Sequence, residues 1–458
     1  MRHSLVIGLI GLVAACSGET KTITNTKTNV DTNTITNTNT NTNTVVENAQ
    51  CDGAGVCVLT GVIVKDTTLT ADKQWVLSGG VFVGNDIDET VLTIEPGTTI
   101  YGENSTRGML VVTRGSKLIA EGTKDAPIVF TSSKAPGSRA RGDWGGLILN
   151  GRAPINNCAE GTTGVCEQFG EGGTGYFGGT DADDSSGSLS YVRVEFAGTL
   201  ISPDNELNGI AFQGVGRGTS VDYLQVHMNA DDGMEFFGGT VEWKHLLVTG
   251  VGDDCLDWTD GWQGKGQFFV GQQFDDSGDQ GIEADNNAED NEASPRSTPT
   301  LSNLTLIGSP DSTSSDYGAL LREGTAGSLH NVILTGFNAA CLSLSQPATL
   351  DQIAGGDLTI ADSILNCAVP FKSDDGNGDV LDADVQAFWE LDGTNVEVDP
   401  ELGAPYDLEA PDFTPAAGSP AASGAVIPAG AFFDDVAYRG GVDPADDWTL
   451  GWTIHDRN

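Results

Sequence analysis

DDGMEFFGGTVEWKHLLVTGVGDDCLDWTDGWQGKGQFFVGQQFDDSGDQGIEAD, residues 231–285, decides the fold. Asp231, Asp253 and Asp275 stand 22 residues apart, as do Asp232, Asp254 and Asp276, and again Glu235, Asp257 and Asp279. The apolar positions between them keep step, with Leu224, Leu246 and Phe268 in one row and Val226, Val248 and Val270 in another. A repeat of this length with strand-like alternation inside each unit reads as a solenoid, in which every turn buries its inner face against its neighbours. The expected class is all-β, a single-stranded right-handed parallel β-helix.

Stacking converts the acidic corners into ladders, because adjacent strands lie about 4.8 Å apart. Two carboxylates at about 5 Å repel by roughly 1 kcal/mol in water and about 3 kcal/mol at an effective dielectric near 20. Such a column calls for open water or a cation. The third rung has two registers: Asp279 follows Asp257 at the strict spacing, but DQGIE at 279–283 also matches DDGME at 231–235 if about four residues are inserted. Either register leaves acid on the corner.

The formal net charge is −43, or −44 without residues 1–15, whose only charged side chain is Arg2. That excess argues against nucleic-acid binding and against docking on anionic lipid, and favours divalent cations as partners. Met1-Arg2-His3 followed by an apolar run at 5–13 reads as a secretory signal, too short to span a bilayer. It ends in VAAC at 13–16, which resembles a bacterial lipobox; the resemblance implies cleavage before Cys16, diacylglycerol on its sulfur and, with Ser17 next, an outer-membrane lipoprotein at the cell surface. Residues 16–50 are dominated by Thr and Asn and carry too few apolar side chains for a core, so they are expected to be a disordered tether.

Seven cysteines remain after lipidation. Cys51 with Cys57, Cys158 with Cys166, and Cys341 with Cys367 form three plausible disulfides for an exported protein, leaving Cys255 as a buried free thiol. The coil is expected over 51–395, with excursions at 156–188 and 286–299 and a short helix at 383–391. Residues 396–458 are expected as extended segments that pack on the coil and close it, their Phe432, Phe433, Trp448 and Trp452 covering a strand edge.

IEPGT (94–98), GDWGGLILNG (142–151), SYVRVEFAG (190–198), DDGMEFFGGT (231–240), DDCLDWTDGWQGKGQF (253–268) and LLREGTAG (320–327) resemble a family of secreted bacterial right-handed β-helix lipoproteins of the pectin-lyase-like solenoid type. The resemblance spans most of 81–458 and implies the fold, not an activity.

Three functions follow from the acidic face. Hard-cation binding uses carboxylates of successive rungs as oxygen ligands, which suits Ca²⁺, with Asp231, Asp232, Glu235, Asp253, Asp254, Asp257, Asp275, Asp276 and Asp279 as the candidate set. Trp243, Trp258 and Trp262, beside those rungs, are candidates for stacking on the sugar rings of a polysaccharide, or else they fill the interior. Catalysis is the second function, since the same solenoid carries polyuronate lyases and hydrolases; paired carboxylates would serve hydrolysis, and Lys244, Lys265, Arg193 and Arg322 are the nearby cations for lyase chemistry. No Gly-His-Gly occurs, and His227, His245 and His330 lie in strand-like runs as packed or surface residues. A purely structural surface role is the third. The sequence therefore points to a lipid-anchored, cation-stabilised binding or adhesion module for glycans, with a calcium-dependent lyase or hydrolase as the alternative.

Overall fold

The computed structural model describes residues 49–202 and 206–458. The signal segment, Cys16 and nearly all of the 16–50 tether lie outside them. Within them, 26 strands join into one network whose pairings are parallel apart from the first hairpin, forming a right-handed parallel β-helix.

Each turn contributes to three sheets. Sheet A stacks Thr67–Leu69, Val91–Ile94 and Lys117–Glu121 below the first halves of the long strands Gly187–Glu195, Ser220–His227, Glu242–Thr249, Lys265–Gln272, Thr300–Ile307 and Gly327–Thr335. Sheet B is built from the second halves of those strands, after Thr99–Gly102 and Ile128–Ser132. Sheet C runs through Met109–Val112, Gly146–Asn150, Ile210–Gln213, Met234–Phe237, Leu256–Thr259, Ile282–Ala284, Tyr317–Leu321 and Ala340–Leu344. Inward positions of all three sheets form one continuous apolar core. Each fully buried Leu, Val or Phe there contributes about 1.5–3 kcal/mol.

The long strands bend from sheet A into sheet B at one residue with left-handed backbone: Tyr191, Tyr223, His245, Phe268, Asn303 and Asn331, with φ between 48° and 68°. Asn tolerates this conformation, but the aromatic residues pay roughly 1–2 kcal/mol each for it. Stacking offsets the strain: Tyr191 to Tyr223 is 4.4 Å between ring centroids, Tyr223 to His245 4.2 Å and His245 to Phe268 4.8 Å.

That ladder corrects the apolar rows. Leu246 faces Phe269, and Val248 faces Gly271. The turn before Lys265–Gln272 holds one residue more than its predecessor, which moves Phe268 to the corner; with a side-chain period of two, a one-residue slip exchanges faces. Gly266 opposite Trp243 is required by space, since a methyl group there would sit 2.1 Å from the indole.

The cysteine pairs are bonded as expected, and Cys255 is a buried free thiol. Its burial, and then Asp254 beside it, push the thiol well up. Helix Asp382–Glu390 closes the C-terminal end of the coil with buried Val385, Phe388 and Trp389. The tail beyond it begins with a short strand, Val396–Glu397, paired parallel to Ile364–Asn366, but its buried tryptophans cover a face of the coil and not a strand edge. It lies along the outer face of sheet B, where Phe413, Val442, Trp448 and Trp452 pack on Leu247, Val270 and Ile307. Side-chain amides hold it by exchanging both a donor and an acceptor with its backbone. Gln225 pairs with Ile454 (2.7 and 2.9 Å), Gln267 with Asp434 (2.9 and 2.8 Å) and Asn331 with Val426 (both 3.0 Å).

Candidate functional site

The acidic stretch builds the outward face of sheet C and the turns that lead into it. Register fixes the columns: Glu235 lies opposite Asp257, and Asp257 opposite Glu283. The third rung is therefore 26 residues on, not 22. The turn after Gln272 carries the added residues, so Asp279 backs onto Asp253 through its amide (3.1 Å) and Gln280 follows Asp254. Asp275 and Asp276 are displaced from the column altogether. Asp276 binds Arg141 and Arg457, and Asp275 binds Arg457, each at 2.9 Å.

Four overlapping triads of carboxylates result, each with oxygens within 4.8 Å of one another: Asp231, Asp232 and Asp253; Asp232, Glu235 and Asp257; Asp253, Asp254 and Asp279; Asp254, Asp257 and Glu283. Asp257 belongs to two of them. Although these side chains leave the coil outward, they are sheltered: Asp232, Glu235, Asp254 and Asp257 are buried. The segment after Gly146–Asn150 folds back over the same face, with Phe177 against Phe237 and the cluster of Val111, Ile148 and Ala211 beneath. It brings Glu171 toward the ladder, and Glu206 comes from the strand's approach on the same side; both add negative potential at Asp231. Neither position carried a periodic signal.

Burial is the first cause of a shared electrostatic pattern. Asp232, Glu235, Asp254 and Asp257 are pushed well above the carboxylate range by desolvation and then by neighbouring carboxylates, Asp231 at Asp232 and Glu283 at Asp254 among them. Glu171, Asp231, Asp260 and Glu323 rise to about 7, and Asp279 to about 6, each first through burial. Glu283 rises to about 8 by burial although Arg322 opposes the shift. Arg322 is committed to the C-terminal end of the basin, bonded to Glu283 and gripping Asp285 at 2.9 and 3.0 Å. Backbone amides supply the rest: Asp254 donates to Asp232 Oδ1 at 3.0 Å, and Gln280 donates to Asp254 Oδ1 at 2.5 Å.

Asp257, midway along the ladder, has a buried Oδ1 with no hydrogen-bond partner among the described residues. An orphaned carboxylate oxygen between two further carboxylates is costly to bury unless a proton or cation meets it. The donor set is entirely hard oxygen, without His or Cys, which fits Ca²⁺ or Mg²⁺ and not a softer metal. The residues thus pass the chemical test for a hard divalent cation.

The tryptophans do not line this basin. Trp243, Trp258 and Trp262 are fully buried inside the coil, at 0–1% exposure. Trp262 stacks on Phe236 at 4.4 Å, and Trp258 donates its indole N–H to Thr325 at 3.1 Å. They fill the interior and are not available to a sugar. The histidines are packed as well: His227 is enclosed between Thr249 and the Asp456 carbonyl and held down to about 3 by burial, and His245 belongs to the corner ladder. Asp375 of the 375–379 loop caps the amides of Asp379 and Val380.

A family model described as a pectate-lyase like beta helix domain matches residues 61–399. No curated protein and no solved structure matches the chain.

Proposed function

The chain belongs to the pectate-lyase-like β-helix family, and from that premise, which points to a carbohydrate-related function, we propose that it is a cell-surface glycan-binding or adhesion module whose acidic basin is completed by Ca²⁺. The observation that carries this reading is the ladder Glu235–Asp257–Glu283, with Asp257 Oδ1 buried and unpartnered at its centre. Asp232, Asp254 and their neighbours would complete the oxygen set around the ion. A bound cation inverts the local potential and so admits an acidic polysaccharide that the bare basin would repel. In this reading the chain is exported and held to the outer membrane by lipid on Cys16, with 16–50 as the spacer.

Isothermal titration of the mature chain with Ca²⁺ tests the proposal. Binding that Asp257→Asn weakens at least tenfold supports it; no heat and no change in melting temperature between millimolar Ca²⁺ and EDTA removes it. The second reading, a calcium-dependent lyase or hydrolase, draws on the carboxyls that rise to about 7 and so can hold a proton at neutral pH. Ultraviolet absorbance of unsaturated products, or new reducing ends, from acidic polysaccharides would establish it if Asp254→Asn abolished the signal. Ligand-free assembly of the purified chain would favour a purely structural surface protein.

A further inference from the structure

A second cavity opens on the same side of the coil, toward its N-terminal end. It holds about 330 Å³, near the lower end of small-molecule sites and room for one or two sugar rings. Its walls come from successive turns of the coil and from the covering segment. Phe82 and the half-exposed Tyr176 supply apolar surface, and Asp86, Thr113 and Asn150 supply polar atoms.

Two features of this lining specify a ligand. Asn150 is 1% exposed, and its amide N–H is spent on the Thr174 carbonyl (2.8 Å), but its Oδ1 is buried and accepts from nothing. A buried acceptor of this kind calls for a donor, and a hydroxyl is the group that fits a mixed polar and apolar wall. Secondly, no Lys, Arg or His among the described residues lines the cavity. The nearest guanidinium, Arg114, is engaged by Asp86 (2.8 Å), Glu167 (2.5 Å) and the Gly178 carbonyl (3.2 Å), and sits 6.0 Å from the Tyr176 ring centre. It stiffens Tyr176, with Phe169 edge-on at 5.0 Å, instead of facing a ligand. A carboxylate, sulfate or phosphate entering here would meet Asp86 and no free cation.

We propose that this cavity is a neutral-sugar subsite, in which an uncharged pyranose stacks on Tyr176 and donates a hydroxyl to Asn150 Oδ1. It deepens the glycan-binding reading and rests on it, but works without a cation. Asn150 lies in register with Gln213 and, one strand further, Phe237, so the subsite is two strands, roughly 10 Å, from the Glu235 rung. One heteropolymer can thus present a neutral unit here and an acidic unit at the basin.

The test measures binding of gluco-, manno-, galacto- and xylo-oligosaccharides, with oligo-uronates of matched length, to the mature chain in EDTA. At least one neutral oligosaccharide is expected to bind without Ca²⁺. Tyr176→Ala should weaken that binding roughly tenfold, as loss of a stacking face implies. Tyr176 is half exposed, so this variant should melt with the parent chain. Asn150→Ala should also weaken it, and Asp257→Asn should leave it unchanged. The subsite is overturned if no neutral oligosaccharide binds, if Tyr176→Ala has no effect, or if uronates bind better in EDTA. Calcium-dependent uronate binding that needs Asp257, with no neutral oligosaccharide bound in EDTA, would remove this subsite and keep the basin; Tyr176-dependent neutral-sugar binding in EDTA, with no calcium-dependent uronate binding, would keep the subsite and remove the basin.

Discussion

Replacing Asp257 by Asn should stabilise the protein without cation and destabilise it, relative to the parent, with cation. Asp257 is shared by the two central triads, in which carboxylate oxygens lie within 4.8 Å. At an effective dielectric near 20, each full charge pair at that distance repels by about 3.5 kcal/mol. Protons taken up by the basin relieve part of this, so the amide is expected to recover about 2–3 kcal/mol at pH 8 in EDTA. For a chain of this length, about 1 kcal/mol corresponds to roughly 1 °C, which gives a melting temperature some 2–3 °C above the parent. Ca²⁺ at a thousandfold excess over its dissociation constant would add about 4.1 kcal/mol to the parent, more than the 2–3 kcal/mol the amide recovers, whereas the variant, lacking the central ligand, gains little. Scanning calorimetry of both proteins in EDTA and in Ca²⁺ should therefore show the two curves exchanging order. If Asp257→Asn melts lower by the same amount in both buffers, Asp257 is only a packing group and the ladder does not store repulsion.

Stability without cation should also depend on pH in an uncommon direction. Asp231, Asp260, Glu171 and Glu323 rise to about 7 and Glu283 to about 8, so the folded chain holds protons that the unfolded chain releases near pH 4. Their contribution is fully present below about pH 4 and is lost as pH climbs through 7–8; the melting temperature in EDTA should fall from pH 5 to pH 8, and a rise over that interval would contradict the buried basin. Gly266→Ala should cost about 1–3 kcal/mol, because a methyl 2.1 Å from the Trp243 ring must displace it, and a denaturation midpoint equal to the parent's would refute the contact. Gln225→Ala should release the Ile454 amide, seen as faster hydrogen exchange there with little change at the Glu235 strand; unchanged exchange at Ile454 would mean the tail is held elsewhere.

The coil was legible because the 22-residue spacing is strict over the two turns that carry Asp231–Asp232 and Asp253–Asp254, and a solenoid has few other ways to bury such a repeat. Its register was not. One residue added before Lys265–Gln272 and three after it exchange Phe268 for Phe269 and Asp275 for Asp279, and only pairing decides between them. The DQGIE echo carried the right answer for Glu283 but looked no stronger than the fixed period. The tryptophans were unreadable for a related reason: Trp258 alternates with Asp257, so one faces the interior whenever the other faces out, and the sequence does not state which side is solvent. Glu171 reaches the basin through long-range folding, which no local spacing reports, whereas Arg322, a nearby cation in the sequence, arrives with the next turn, after Leu321 pairs with Ala284.

The amide pairs along sheet B give the tail a property of their own. Gln225, Gln267 and Asn331 stand on three different turns, yet each must offer its donor and acceptor at the spacing that one continuous segment demands. A coil wound with one of those turns out of step would present that row of amides misaligned, and Val426, Asp434 and Ile454 would find no seat. That segment is therefore a gauge laid against the winding between Gln225 and Asn331, in register only with the correct count of the turns between them.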